Sequence, residues 1–367
     1  MIYLDHGATS FHKPPRVKAA MVRALEQCAN PGRGGHEASI RASRVVYRTR
    51  ELAAEQFGCM PEQVVFTANC THGLNIALRT LVRPGDRVVI SGFEHNAVVR
   101  PLHLLGAKIT VAGRKLFAPD HTLECFEKAL KQGAEAAVFT HVSNVFGYIL
   151  PVAELAALCR RYGVPFTVDC AQSAGCLPID LRGWGADFVA MPGHKGLLGP
   201  QGTGLLLCGR DPKPLLAGGT GSDSSSYAMP DHLPDRLEAG TLNVPGIAGL
   251  GAGLQYLKER GIDAIFRREQ REARLCAEGL KKLGKRVYFG ESQGGTVSFV
   301  PNGDPEEVAE KLAKRGIALR AGLHCAPLAH ESAGTLETGT VRVSFGHDAA
   351  PYQTEALLSA VKDVDVM

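Results

Sequence analysis

One pattern dominates this chain. Short apolar runs bounded by Gly, Pro and Asp alternate with stretches of helical spacing. "VVFTAN" precedes "THGLNIALRTL", and "DRVVISG" precedes "NAVVRPLHLLG". "AEAAVFTH" leads to "PVAELAALCRRYG", then "VPFTVDCA", "ADFVAMPG" and "GTGLLLCG". Compact apolar runs between turn signals read as buried strands. Strands that alternate with helices predict an α/β domain whose mainly parallel sheet is covered on both faces. This domain is expected to span residues 14–249. The polar, punctuated "TGSDSSSYAMPDHLPDR" reads as a surface loop inside it. Residues 250–367 have another texture, with charged helices and short strands such as "GTVSFV" and "TVRVSF". They predict a smaller α+β C-terminal domain, joined by residues 1–13.

Two domains suit a chain of 367 residues. Hydrophobic residues at 45% and charged residues at 21% are those of a globular protein in water. A net charge of +4, with no block of like charges, argues against nucleic acid or a membrane surface as partner. No apolar run reaches membrane-spanning length, and "MIYLDHGATS" lacks the pattern of a secretory signal. The ten cysteines are scattered, without the spacing of a disulfide framework or a zinc site. A reduced, cytoplasmic protein is expected.

In open α/β sheets, ligands sit beyond the carboxyl ends of the strands. Cys70, Thr71 and His72 follow the first predicted strand, and Glu94, His95 and Asn96 the second. Asn144, then Asp169 and Gln172, then His194 and Lys195 follow the next three. Singly, each has a plain structural reading. Asp169 and Thr71 suit helix caps, Asn144 a turn, His95 a loop, and Lys195 a solvated charge. Their joint placement at successive strand ends suits one chemistry. A lysine amine can form a Schiff base with an aldehyde cofactor. Pyridoxal 5'-phosphate needs such a lysine and a carboxylate opposite its ring nitrogen. On this reading Lys195 is the covalent anchor and Asp169 faces the ring nitrogen. His95 stacks on the ring, and Asn144 and Gln172 reach its phenolic oxygen. Thr71 and the helix N-terminus around it cradle the phosphate. The glycines around Lys195 are expected to let the backbone turn tightly against the cofactor.

"YLDHGATS", "EHNAVV", "HVSNVFG", "DCAQSAG", "GHKGLLGPQGTG", "EAGTLN" and "RAGLHCAPLAH" occur in this order nearly end to end. As a set they resemble the class V aminotransferase family, and within it the cysteine desulfurases and selenocysteine lyases. The resemblance implies a fold-type-I, pyridoxal-phosphate-dependent homodimer. It implies that His194 contacts the cofactor phosphate and that Thr241 reaches the phosphate in a second copy of the chain. Pro192 departs from the pattern, because many relatives carry a phosphate-binding serine there and proline has neither hydroxyl nor N–H. Cys70 takes a position where relatives often have a small hydroxyl residue, and a thiol is a weaker donor.

Cys325 lies between His324 and Ala326, five residues after Arg320. Cationic neighbours favour the thiolate, whereas a cysteine in a loop can also be merely structural. The resemblance makes Cys325 the catalytic thiol, and the compact "RAGLHCA" is like the group-two desulfurases. Arg342, in a predicted strand, either snorkels or pairs with an anion. By resemblance it holds the substrate carboxylate, with Asn144 nearby. The implied activity converts L-cysteine to L-alanine. Lys195 moves the α-proton with His95 over the ring, and Cys325 takes the sulfur as a persulfide for an acceptor protein. Iron–sulfur assembly, tRNA thiolation and selenium supply all stay open as destinations. Selenocysteine lyase is the alternative closest in sequence, with L-selenocysteine as substrate. A transaminase or epimerase on the same scaffold, or a non-catalytic sulfur carrier, would make Cys325 or the whole constellation incidental.

Overall fold

The computed structural model describes residues 1–32 and 34–365. In chain order the first part contains β1 (Ile2–Tyr3), α1 (Pro15–Gln27), α2 (Glu37–Gln56), β2 (Val64–Thr67) and α3 (Cys70–Leu81). There follow β3 (Arg87–Ser91), α4 (Asn96–Leu104), β4 (Lys108–Ala112), α5 (Pro119–Lys131), β5 (Ala136–Thr140) and α6 (Val152–Arg161). Next come β6 (Phe166–Asp169), α7 (Leu181–Trp184), β7 (Phe188–Pro192), β8 (Gly204–Cys208) and α8 (Val244–Arg260). The second part contains α9 (Ile262–Lys282), β9 (Arg286–Tyr288), β10 (Thr296–Val300), α10 (Pro305–Lys314) and β11 (Ile317–Ala318). It ends with β12 (Arg320–Gly322), α11 (Pro327–Ala333), β13 (Thr340–Ser344) and α12 (Pro351–Asp365).

Seven strands form the large sheet in the order β2-β8-β7-β6-β5-β3-β4. The pairs β3–β4, β3–β5, β5–β6 and β6–β7 are parallel, while β8 runs antiparallel to both β7 and β2. The alternation of strands and helices does not signal this reversal. Its cause is the connection "GHKGLLGPQGT", which contains no α-helix to carry the chain back across the sheet, so β8 returns beside β7. Every residue of β2, β5, β6, β7 and β8 is buried. That fits strands covered on both faces. Phe139 and Phe166 stack on one face with centroids 5.5 Å apart, in a core that includes residues of α2, α6 and α8. Residues of α3 and α4 build the core on the opposite face.

The smaller unit has an antiparallel sheet, β12-β13-β10-β9, and a separate core shared by α9, α10 and α12. Leu4 belongs to that core, and β1 pairs in parallel with β11 through Ile2–Ile317 and Tyr3–Ala318. The expected division between residues 249 and 250 falls inside α8. That helix runs unbroken to Arg260 and packs on α1 and α2. Gly261, at φ 79°, separates it from α9. We place the division there.

Candidate active site

The ends of β2, β3, β5, β6 and β7 deliver the expected residues to one edge of the sheet. Asp169 is the last residue of β6, in register with Thr140 on one side and Ala190 on the other. It is buried, and its Oδ1 accepts from Ala171 N at 2.8 Å and from the Cys70 thiol at 3.5 Å. Among the described residues no donor reaches Oδ2. Lys195 Nζ likewise has no hydrogen bond or ion pair among the described residues. Burial holds the Lys195 amine below its usual range, and Asp169 opposes that shift. Lys195 and Gln172 also line a small hollow with His6, Glu269 and His347.

The glycines flanking Lys195 act differently from expectation. A Cβ on Gly196 would lie 2.2 Å from Ala174 O, and one on Gly193 would lie 2.1 Å from Thr203 Oγ1. They allow neighbouring protein segments to press against the lysine loop. The loop is tied further by Gly193 N to Thr203 O at 2.8 Å and Gly199 N to Gly193 O at 2.7 Å. Pro192 ends β7 opposite Gly204 and is buried there.

His95 N-caps α4, its Nδ1 accepting from Ala97 N at 3.0 Å. That bond places the ring proton of the neutral form on Nε2. Burial keeps the imidazole pKa low, with Asp169 opposing and Lys195 adding to the shift. Beneath it, the fully buried Glu94 accepts from Ser91 Oγ and from Thr140 N at 2.8 Å. Burial pushes the Glu94 carboxyl up to about 8, so it is largely protonated at neutral pH. Glu94 thus links the ends of β3 and β5 under the histidine.

At β2 the helix cap is Asn69, whose Oδ1 accepts from His72 N at 2.9 Å, and not Thr71. The amides of Cys70 and Thr71 have no acceptor among the described residues, and the Thr71 side chain is exposed. The Cys70 side chain turns toward Asp169.

The first residues of the chain organise His194. Its carbonyl accepts from Ser10 N at 3.0 Å, Ser10 Oγ at 2.9 Å and Lys13 Nζ at 3.3 Å. Thr9 Oγ1 lies 3.1 Å from the same carbonyl and 3.0 Å from His194 Nδ1. The Thr9 hydroxyl donates to the carbonyl, so its oxygen is free to accept from Nδ1–H. Burial, then Lys195 and Lys13, push this imidazole down to about 4, so it is neutral.

The small domain approaches the same edge. Arg342, buried in β13, donates to Asp5 Oδ1 at 2.7 Å and to Asn144 O at 2.9 Å. It therefore pairs with an anion and does not snorkel. Among the described residues, its Nε is buried without a hydrogen-bond partner, as is Asn144 Oδ1. Asn144 Nδ2 donates to His324 O at 2.8 Å, and Asn96 N donates to Cys325 O at 2.8 Å. These two bonds fasten the cysteine turn beside His95. His324 and Cys325 both have left-handed backbones, φ 51° and 56°, and Cys325 is exposed. The expected cationic neighbours are otherwise engaged. Arg320 pairs with Asp5 Oδ2 at 3.0 Å. Burial, then Arg342, push His324 down to about 3, so it carries no charge at neutral pH. Gln172 Nε2 is used on Gly7 O at 2.9 Å. Thr241 is exposed and lines a different hollow, with Arg50 and Glu238.

Sequence reasoning missed Asp5, which holds both arginines, and the Thr9–Ser10–Lys13 grip on His194. "YLDHGATS" marks the place of the first three of these residues but not their partners, which lie 184 to 337 positions away.

The Aminotransferase class-V family profile matches residues 2–357. A probable cysteine desulfurase of Methanothermobacter thermautotrophicus is 34% identical, the match covering 99% of this chain and 94% of that one. One of Pyrococcus abyssi is 33% identical with the same coverage. Among solved structures, the apo cysteine desulfurase of Thermococcus onnurineus superposes with a TM-score of 0.91 at 33% identity, over 100% of this chain and 94% of that one. The cysteine desulfurase CsdA of Escherichia coli does so with 0.88 at 27% identity, with the same coverage.

Proposed function

The chain belongs to the class-V aminotransferase family, and from that premise we propose that it is a pyridoxal-phosphate-dependent cysteine desulfurase. It converts L-cysteine to L-alanine and leaves the sulfur as a persulfide on Cys325. The observation that carries the reading is a juxtaposition. Lys195, Asp169 and His95 share one electrostatic neighbourhood, and the exposed Cys325 is bonded through its carbonyl to the residue after His95.

The residues present fit pyridoxal phosphate. Among the described residues, Asp169 Oδ2 lacks a donor, the Cys70 and Thr71 amides lack acceptors, and Asn144 Oδ1 is buried without a partner. Asp169 would hold the ring nitrogen, His95 the ring face and Asn144 the phenolic oxygen, with Gln172 joining through the amide hydrogen that it does not give to Gly7 O. The Cys70 and Thr71 amides would hold the phosphate with His194, and Thr241 from a second copy of the chain would complete that cup. When bound, the cofactor supplies an aldehyde that captures the substrate amine and a ring that withdraws electrons from the α-carbon.

Lys195 is suited to proton transfer because its amine, held below the usual range, gives up its ammonium proton readily. It takes the proton from the α-carbon of cysteine and returns one. Arg342, held by Asp5 and Asn144 O, directs positive charge toward the substrate carboxylate. The Cys325 thiolate attacks the substrate sulfur. A sulfur–sulfur bond forms as the carbon–sulfur bond breaks, and its electron pair stays with carbon, which is protonated to alanine. The homodimer, the sulfur-acceptor protein and a cytoplasmic location belong to the same proposal. The location rests on ten free cysteines.

The test is turnover of L-cysteine and L-selenocysteine by cofactor-loaded protein, with mass analysis of Cys325 after the cysteine reaction. Alanine release with one added sulfur on Cys325 is expected. Alanine release from selenocysteine alone would make the protein a selenocysteine lyase.

A further inference from the structure

Cys70 is not spent on the phosphate. It is the first residue of α3, buried, with Sγ 3.5 Å from Asp169 Oδ1. The same oxygen accepts from Ala171 N at 2.8 Å. The two donors come from different directions in the chain. Ala171 is two residues after Asp169, whereas Cys70 enters from the far end of the sheet's strand order. A carboxylate on a single backbone donor can still swing about its Cα–Cβ and Cβ–Cγ bonds. A second donor on the same oxygen restricts that motion. We infer that Cys70 is a positioning residue: its thiol fixes Asp169 Oδ1 and so reserves Oδ2 for the ring nitrogen of pyridoxal phosphate. The inference rests on the proposed cofactor.

The thiol is equipped for donation alone. Burial, then the Asp169 charge, raise it well above the ordinary thiol range. Burial thus favours the protonated thiol, the form that can donate to Asp169. The neighbouring Lys195 opposes this shift without reversing it. Cys70 and Cys325 are thus opposite uses of one side chain: a buried, fixed proton donor and an exposed nucleophile.

The experiment compares wild type, Cys70→Ala and Cys70→Ser. Pyridoxal phosphate is titrated into each apoprotein, and the isotope-labelled ring nitrogen is read by NMR in each loaded protein. Cys70→Ala should bind the cofactor about three- to tenfold more weakly, because a thiol is a weak donor to a charged acceptor, and its ring-nitrogen signal should move. Cys70→Ser keeps a donor on a shorter bond and should recover most of both changes. Wild-type affinity and an unmoved signal in Cys70→Ala would overturn the inference. So would Cys70→Ser and Cys70→Ala that were equally impaired, since packing alone would then be responsible. Wild-type protein that bound no pyridoxal phosphate would remove the proposed function, and this inference with it.

Discussion

Lys195 sits in a connection pressed backbone to backbone against its surroundings, where Gly196 leaves 2.2 Å between its would-be Cβ and Ala174 O. Cys325 sits on an exposed left-handed turn whose carbonyls are held from outside by Asn96 and Asn144. The difference matches the work proposed for each. A proton transferred to and from one carbon needs a base in one fixed place. Sulfur must be taken from a buried substrate and then handed outward, which needs a thiol that stands clear of the core.

The most severe way to break this comparison is at its two reactive atoms. Lys195→Ala should lower alanine production by about 10⁴-fold or more, as loss of a positioned proton carrier does, while circular dichroism stays unchanged. Near-normal turnover would refute the assignment. Cys325→Ser should lower cysteine desulfuration by about 10³-fold, on the order of 4 kcal/mol in barrier, and spare part of any selenocysteine activity. Unchanged cysteine turnover would end the persulfide mechanism.

The next tests concern the scaffolds. Gly196→Ala should destabilise the apoprotein by about 2 kcal/mol, because the new methyl has no room. Denaturant unfolding that matched wild type would mean the lysine loop is looser than described. His330, stacked on His324 with centroids 5.9 Å apart, is pushed down to about 4 by burial. The unfolded chain takes up a proton there near pH 6.5, and the folded chain does not until about pH 4. The stability contributed by neutral His330 is therefore whole above pH 6.5 and drains away as the pH falls to about 4. His330→Asn should flatten the stability–pH slope in that window by up to ~1.4 kcal/mol per pH unit. A slope identical to wild type would contradict it. The smallest effect is expected at the turn itself. Cys325→Gly relieves a left-handed residue and should hold stability or raise it by up to about 1 kcal/mol. A clear loss would show that the turn, too, is braced by its side chain.

The large domain was legible because a buried strand needs a run of apolar residues, and "VVFT", "FTVD" and "FVAMP" have no other comfortable place. Side-chain positions along the strand ends followed from the same geometry. What the sequence hid was partnership. Asn69 and Thr71 are both acceptable caps, and only the observed backbone shows that Asn69 is used. Cys70 and Asp169 lie 99 positions apart, and nothing local marks them as a pair. Arg320 looked like a cation available to Cys325 because it is near in sequence, yet Asp5 claims it across 315 positions. The glycines of the lysine loop suggest room for a ligand, but that room is taken by Ala174 and Thr203.

The pairing of Ile2 with Ile317, and of Asp5 with Arg342, also has a consequence for synthesis. On the ribosome the first strand of the chain waits for partners made nearly last. The sheet that carries Lys195 can close around its own core long before then, since domains fold as units while the chain emerges. Asp5 meets Arg342, and Arg342 meets Asn144, only when almost the whole chain is out. A nascent chain would thus hold its amine for most of its elongation without the thiol or the carboxylate clamp. Pulse-labelled chains arrested before residue 317 should accordingly be folded in the sheet and inert toward cysteine.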